Sequence, residues 1–181
     1  MVQLLKEDKN LIRFLLICLL AYLIWVVLYN HWIGPDKRVD FWLSGIEAKE
    51  VIVLFKLLGY PMSEVIEFHY KHIFYLNGQR LVGLASSCNG LVLFPLFSCF
   101  IFATHGHWKR KLIYVLIGCI LIYHVNILRI MGLLFVKIYS PESLDFNHKY
   151  TFTVLFYSFI FYLWYLWINY YSVSKKEKSH E

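Results

Sequence analysis

The sequence predicts an all-α polytopic membrane protein with about four transmembrane helices, an interfacial amphipathic helix and a small extracytoplasmic β-hairpin. Three observations carry that expectation. Of 181 residues, 59% are hydrophobic and 19% aromatic, whereas a soluble domain is about half apolar and a quarter charged. Apolar runs near the roughly 20 residues needed to cross a bilayer recur along the chain. The formal charge of +6 is gathered in short basic clusters beside those runs, the placement that orients a membrane protein rather than binds nucleic acid. No linker, repeat or low-complexity segment divides the chain, so 1–181 reads as a single membrane domain.

The first span covers about 14–32 and is opened by Asn10-Leu-Ile-Arg-Phe14. It is followed by Tyr29-Asn-His-Trp-Ile-Gly34 rather than a small-residue cleavage site, so it is expected to be retained. A second span is expected at about 88–104, with its helix starting near Ser87. A third covers 112–136 and a fourth 150–173. Residues 41–62 show helical apolar spacing broken by Glu47, Lys49, Glu50 and Lys56. That pattern suits a helix lying in the interface. With four spans, both termini and the Lys109-Arg110-Lys111 loop share one side, which the positive-inside rule makes cytoplasmic. A fifth span at 41–62 would put the first and last basic clusters on opposite sides.

Residues 65–85 read as a hairpin. Val65 to Tyr75 is rich in β-branched and aromatic residues, Gln79-Arg-Leu-Val-Gly-Leu84 forms a second run, and Asn77-Gly78 lies between them. Asn-Gly is the strongest short-range hairpin signal, because both turn positions need positive φ. An open strand edge cannot sit in hydrocarbon, which puts the hairpin outside the membrane.

Cys18, Cys99 and Cys119 fall inside apolar runs, where a thiol behaves as a small hydrophobe. Cys88 does not. With Ser86 or Ser87 as N-cap, it would enter the first turn of the second span, where amide donors and the helix dipole favour a thiolate and could hold an oxyanion. By position alone, a small residue needed for packing fits equally well. Arg129 lies about seven residues, or roughly 10 Å, inside the third span. A charge there is expensive and points to function, against the bland alternative of snorkelling or pairing with Asp145. Asn126 is one turn earlier on the same face and could share a polar pocket with it. His148 stands just before the fourth span, at the outer interface, with a pKa class suited to proton transfer. A thiol, an imidazole and a guanidinium at one surface are the parts of a nucleophilic acyl-transfer site. His69 and His72 would point to opposite faces of one strand, a poor metal pair. No metal, nucleotide or other cofactor motif is present in the sequence.

Ala85-Ser-Ser-Cys-Asn-Gly-Leu91 entering a span, Asn126-Ile-Leu-Arg-Ile130 late in the next and His148 before the last resemble the exosortase/archaeosortase family. The order, spacing and common membrane face make the set specific, and the resemblance covers about Tyr60 to Phe161. It is similar to short, single-unit bacterial members of Bacteroidota type. It departs from the family's usual Cys-Ser-Gly at Cys88-Asn89-Gly90, and from the roughly eight spans of many members.

The resemblance implies a membrane-embedded cysteine transpeptidase or protease of the cell envelope that acts on exported proteins. Their C-terminal signal would consist of a short motif, a hydrophobic helix and a basic tail. Cys88 would form a thioester, Arg129 would bind the carbonyl or oxyanion, and His148 would transfer protons; Asn126, Asn89 and Ser87 would support them. The site would face outward from the bacterial inner membrane, with both termini cytoplasmic. Without the resemblance, a non-enzymatic subunit of an export or polysaccharide-assembly complex is the alternative. A thiol redox protein would need a second exposed cysteine, which this topology does not supply.

Overall fold

A computed structural model describes residues 2–36, 38–67, 71–84, 88–104 and 106–172. The chain opens with helix α1 (Val2–Leu28), which runs through a π-helical stretch at Tyr29–Ile33 into the single turn α2 (Gly34–Asp36). Helix α3 (Arg38–Leu57) leads to three strands, β1 (Met62–Glu67), β2 (Lys71–Leu76) and β3 (Gln79–Leu84). Helices α4 (Leu93–Ala103) and α5 (Trp108–Tyr139) follow. The last helical segment starts with a 3-10 turn, the short α6 (Leu144–Phe146) and a π-helical stretch at Asn147–Thr151. It continues as α7 (Phe152–Leu166) and ends in a second π-helical stretch at Trp167–Ser172.

Among the described residues, two segments are long and apolar enough to cross a membrane, Trp108–Tyr139 and Pro141–Tyr171. They contain the third expected span and nearly all of the fourth. The segments expected to be the first and second spans are helical but shorter in their apolar part, Leu16–Trp32 and Leu93–Ala103, and fall short of that length. The second departs most from expectation: its helix begins at Leu93 rather than near Ser87, and its 11 residues extend about 16 Å. Gly90 is the reason. Its φ of +70° lies in the left-handed region and breaks any helix arriving from Cys88. The Asn89 side chain reinforces the break by accepting the Leu91 amide at 3.0 Å, a turn that competes with helix formation.

The expected hairpin is a three-stranded antiparallel sheet, in the order β1-β2-β3. The run from Val65 to Tyr75 is not one strand; its ends belong to β1 and β2, which pair with each other from Met62↔Leu76 to Glu67↔Lys71. Folding back lets both pieces satisfy backbone donors that a long strand beside six-residue β3 would have left open. His69 lies outside the described residues. The Asn77-Gly78 turn is as expected, with φ of 51° and 78°. A bulge interrupts β2–β3 pairing between Ile73 and Tyr75, and extra residues of this kind re-aim neighbouring side chains.

Helix α3 is not among the segments that qualify as spans. One face, with Leu43, Ala48, Val51 and Phe55, is buried, while Lys49 and Lys56 are exposed. It packs on the sheet and α5 through Met62, Phe74, Leu84, Ile127, Ile130 and Leu134. A second cluster, with Phe97, Ile101, Ile122, Phe156, Ile160 and Trp167, joins α4, α5 and α7. Helix α5 belongs to both clusters and separates them. The Lys111 ammonium closes the C-terminal end of α4 by donating to the carbonyls of Phe102 and Thr104. Beyond these cores, α1, α5 and α7 expose large apolar side chains such as Leu20, Leu116 and Phe161, a surface suited to lipid.

Candidate active site

The break before α4 sets where Cys88 sits. It precedes the helix by five residues, so the expected placement in the helix's first turn, with its dipole and free amides, does not hold. The proposed cap, Ser87, lies outside the described residues. Cys88 instead faces the π-helical stretch at Asn147–Thr151, which carries His148. His148, expected just before the fourth span, is thus already inside the helical segment that continues into it. A π-turn adds a residue to the helical repeat and rotates the turn after it, a distortion common at functional positions. The Thr153 hydroxyl donates to the His148 carbonyl at 3.0 Å.

Cys88 Sγ lies 3.5 Å from His148 Nε2, within hydrogen-bond reach for sulfur. Arg129, one turn beyond Asn126 on α5, lines the same groove. The groove is shallow, with a cavity of about 50 Å³, and its walls come from Phe74, Val82 and Leu84 of the sheet and from Ile130, Leu133 and Leu134 of α5. The Arg129 guanidinium carbon is 5.6 Å from the centre of the Phe156 ring, a cation–π arrangement. Its buried Nε has no hydrogen-bond partner, and no ion pair with Asp145 is found among the described residues. Arg129 thus lines the groove beside a thiol and an imidazole, with donor capacity at its buried Nε that no group among the described residues uses.

Asn89 and Asn126 lie behind the groove rather than in it, both almost fully buried. The Asn126 amide nitrogen donates to Glu47 Oε1 at 2.9 Å and to the Cys88 carbonyl at 3.0 Å. The Asn89 amide nitrogen donates to Asp40 Oδ1 at 2.8 Å, and the Tyr29 hydroxyl donates to Asp40 Oδ2 at 3.0 Å. Two carboxyl-bearing residues of α3, seven apart and so on one face, thereby reach both sides of the Cys88 turn. Sequence reasoning missed Asp40 and Glu47. The signal was available: both fall on the helical stripe that also holds Leu43, Ala48 and Val51, where an acid has no solvent. Burial pushes the Glu47 carboxyl up to about 8, with Glu50 adding to the rise and the Asn126 bond and Arg129 charge opposing it.

The comparison with known families bears on what this geometry is for. The family model for transmembrane exosortases matches residues 6–165, most of the chain. The chain belongs to the transmembrane exosortase family. It is therefore a membrane protein of that exosortase family, whose members are in general cysteine transpeptidases. No match is found among the curated proteins or the solved structures.

Proposed function

We propose that this exosortase-family protein is a cysteine transpeptidase that cleaves the C-terminal sorting signals of exported proteins through a Cys88 thioester. The observation that carries the reading is the 3.5 Å approach of Cys88 Sγ to His148 Nε2, with Arg129 lining the same groove. His148 takes the thiol proton as Sγ attacks the scissile carbonyl. The Arg129 guanidinium holds the negative oxygen of the tetrahedral intermediate. When the C–N bond breaks, the imidazolium gives its proton to the departing amine, leaving the thioester on Cys88. An acceptor amine or a water then loses a proton to His148, attacks the thioester and returns the thiol. The logic parallels nucleophile–base pairs with an oxyanion-binding donor on unrelated folds.

The substrate in this reading carries a short motif, a hydrophobic helix and a basic tail. Its helix would lie in the same inner membrane that holds α5 and α7. The groove would face the extracytoplasmic side, with both termini and the Lys109–Lys111 loop in the cytoplasm, following the positive-inside rule. Co-expression with a tripartite substrate tests the reading by the loss of its C-terminal tail. Cys88→Ala, His148→Gln and Arg129→Gln are each expected to abolish processing. Processing that survives Cys88→Ala overturns Cys88 as the nucleophile; a silent Cys88→Ser beside a harmful Arg129→Gln favours a non-enzymatic membrane subunit.

A further inference from the structure

Glu47 is a poor choice for stability alone. It is fully buried, its Oε2 has no hydrogen-bond partner, and Asn126 Oδ1 is likewise unpartnered. A well-packed apolar side chain in such a place is commonly as stable or more so. Burial also holds its carboxyl well above the ordinary carboxylate range. What Glu47 does have is a relation to the nucleophile's main chain. A side-chain amide carries two N–H donors, and Asn126 uses one on Glu47 Oε1 and the other on the Cys88 carbonyl. With one hydrogen fixed by Glu47, the amide plane cannot rotate, and the second hydrogen points at one position. Gly90 packs beside this amide at an ordinary distance, 3.7 Å from an ideal Cβ to the Asn126 amide carbon, so its φ of +70° rather than a lack of space calls for glycine.

We propose that Glu47 is a positioning residue for the reaction: its carboxyl group sets the Asn126 amide, and that amide holds the Cys88 carbonyl so that Sγ meets His148. The proposal rests on the reading of Cys88 as nucleophile and adds a residue of α3 to its machinery. It requires an acceptor at position 47 rather than a charge. Glutamine supplies that acceptor and leucine does not, at similar volume.

The test uses the full-length protein in proteoliposomes, as wild type, Glu47→Gln, Glu47→Leu, Asn126→Leu and the Glu47→Leu/Asn126→Leu double variant. Two rates are measured: processing of a tripartite substrate, and alkylation of Cys88 by iodoacetamide, read at that residue by peptide mass spectrometry. Glu47→Leu is expected to lower kcat about 10- to 100-fold with KM nearly unchanged, since a misplacement near 1 Å has effects of that order. Its Cys88 alkylation is expected to fall about five-fold or more as the thiol leaves its base. Glu47→Gln should stay within about three-fold of wild type, and the double variant should be no worse than Asn126→Leu, because coupled residues are non-additive.

Equal losses in Glu47→Gln and Glu47→Leu overturn the proposal, as does a double variant in which the two losses multiply. If wild type processes no substrate but Cys88 alkylation still falls in Glu47→Leu and not in Glu47→Gln, positioning stands and the transpeptidase reading fails. If alkylation is the same in all variants, positioning fails whatever the substrate does.

Discussion

A methyl group added at Gly132 tests how tightly His148 is held. Gly132 on α5 faces the Phe152 ring on α7, and an ideal Cβ there would lie 2.5 Å from both Cε1 and Cζ of that ring. Nonbonded carbons settle at about 3.5 to 4.0 Å, so Gly132→Ala must move the ring or the helices apart by about 1 Å. Phe152 stands one turn after His148, whose Nε2 is 3.5 Å from the Cys88 sulfur; another ångström breaks that contact. Overpacking costs about 1 to 3 kcal/mol, and alanine returns about 1 kcal/mol over glycine within a helix. The fold should therefore survive while processing falls about 10- to 100-fold.

Gly118→Ala is the control. It lies on the same helix with an even closer Cβ contact, 2.2 Å to Phe97 Cε1, but Phe97 packs in the cluster away from the groove. It should lower the melting temperature in detergent and leave the specific activity of the folded fraction near wild type. Initial rates of tail loss in proteoliposomes and melting curves in detergent give both readouts. A Gly132→Ala protein that processes at the wild-type rate refutes the link between α5–α7 spacing and His148, as does equal activity loss in Gly118→Ala.

Asn89→Ala strips the nearly buried Asp40 carboxylate of its amide donor, and should lower stability by about 1 to 3 kcal/mol; an unchanged melting temperature counts against the Asp40–Asn89 contact. Glu47→Gln should change the pH dependence of stability. The folded carboxyl at about 8, against 4.5 for the free group, means the folded state binds the proton more tightly, so stability is full below 4.5 and falls as pH rises towards 8. Each pH unit in that window is worth about 1.4 kcal/mol; between pH 5 and 7 wild type should lose about 2 to 3 kcal/mol relative to Glu47→Gln, visible as diverging melting temperatures. Asn77→Ala removes the side-chain amide that makes a φ of 51° tolerable and should cost about 1 kcal/mol, whereas Asn77→Gly should melt like wild type.

Much of this site was legible because its chemistry depends on residue type and order. Asn77-Gly78 announced its turn through the only two residues that take positive φ readily, and Cys88, Arg129 and His148 stood out where lipid packing does not explain them. The local geometry was harder to read. Gly90 was seen as part of a motif, but the effect of its left-handed backbone on the helix after Cys88 depends on the Asn89 side chain closing onto Leu91. The π-helical stretch at His148 leaves no trace in the hydropathy pattern, because it shifts the phase of a helix without changing its composition. Glu47 was read as an interruption of an amphipathic stripe. Only the facing Asn126, 79 positions away in the chain, turns it into a partner.

The grip on the Cys88 turn has a practical consequence. Asn126 takes hold of the peptide carbonyl at 88, and Asn89 anchors the next residue, so the main chain at 88 is held by groups other than its own side chain. Cys88→Ala or Cys88→Ser should leave the groove moulded as before, with His148 and Arg129 still in station. Under the proposed function, such an inert version would serve as bait, retaining a substrate it can no longer cut and allowing that substrate to be identified by crosslinking.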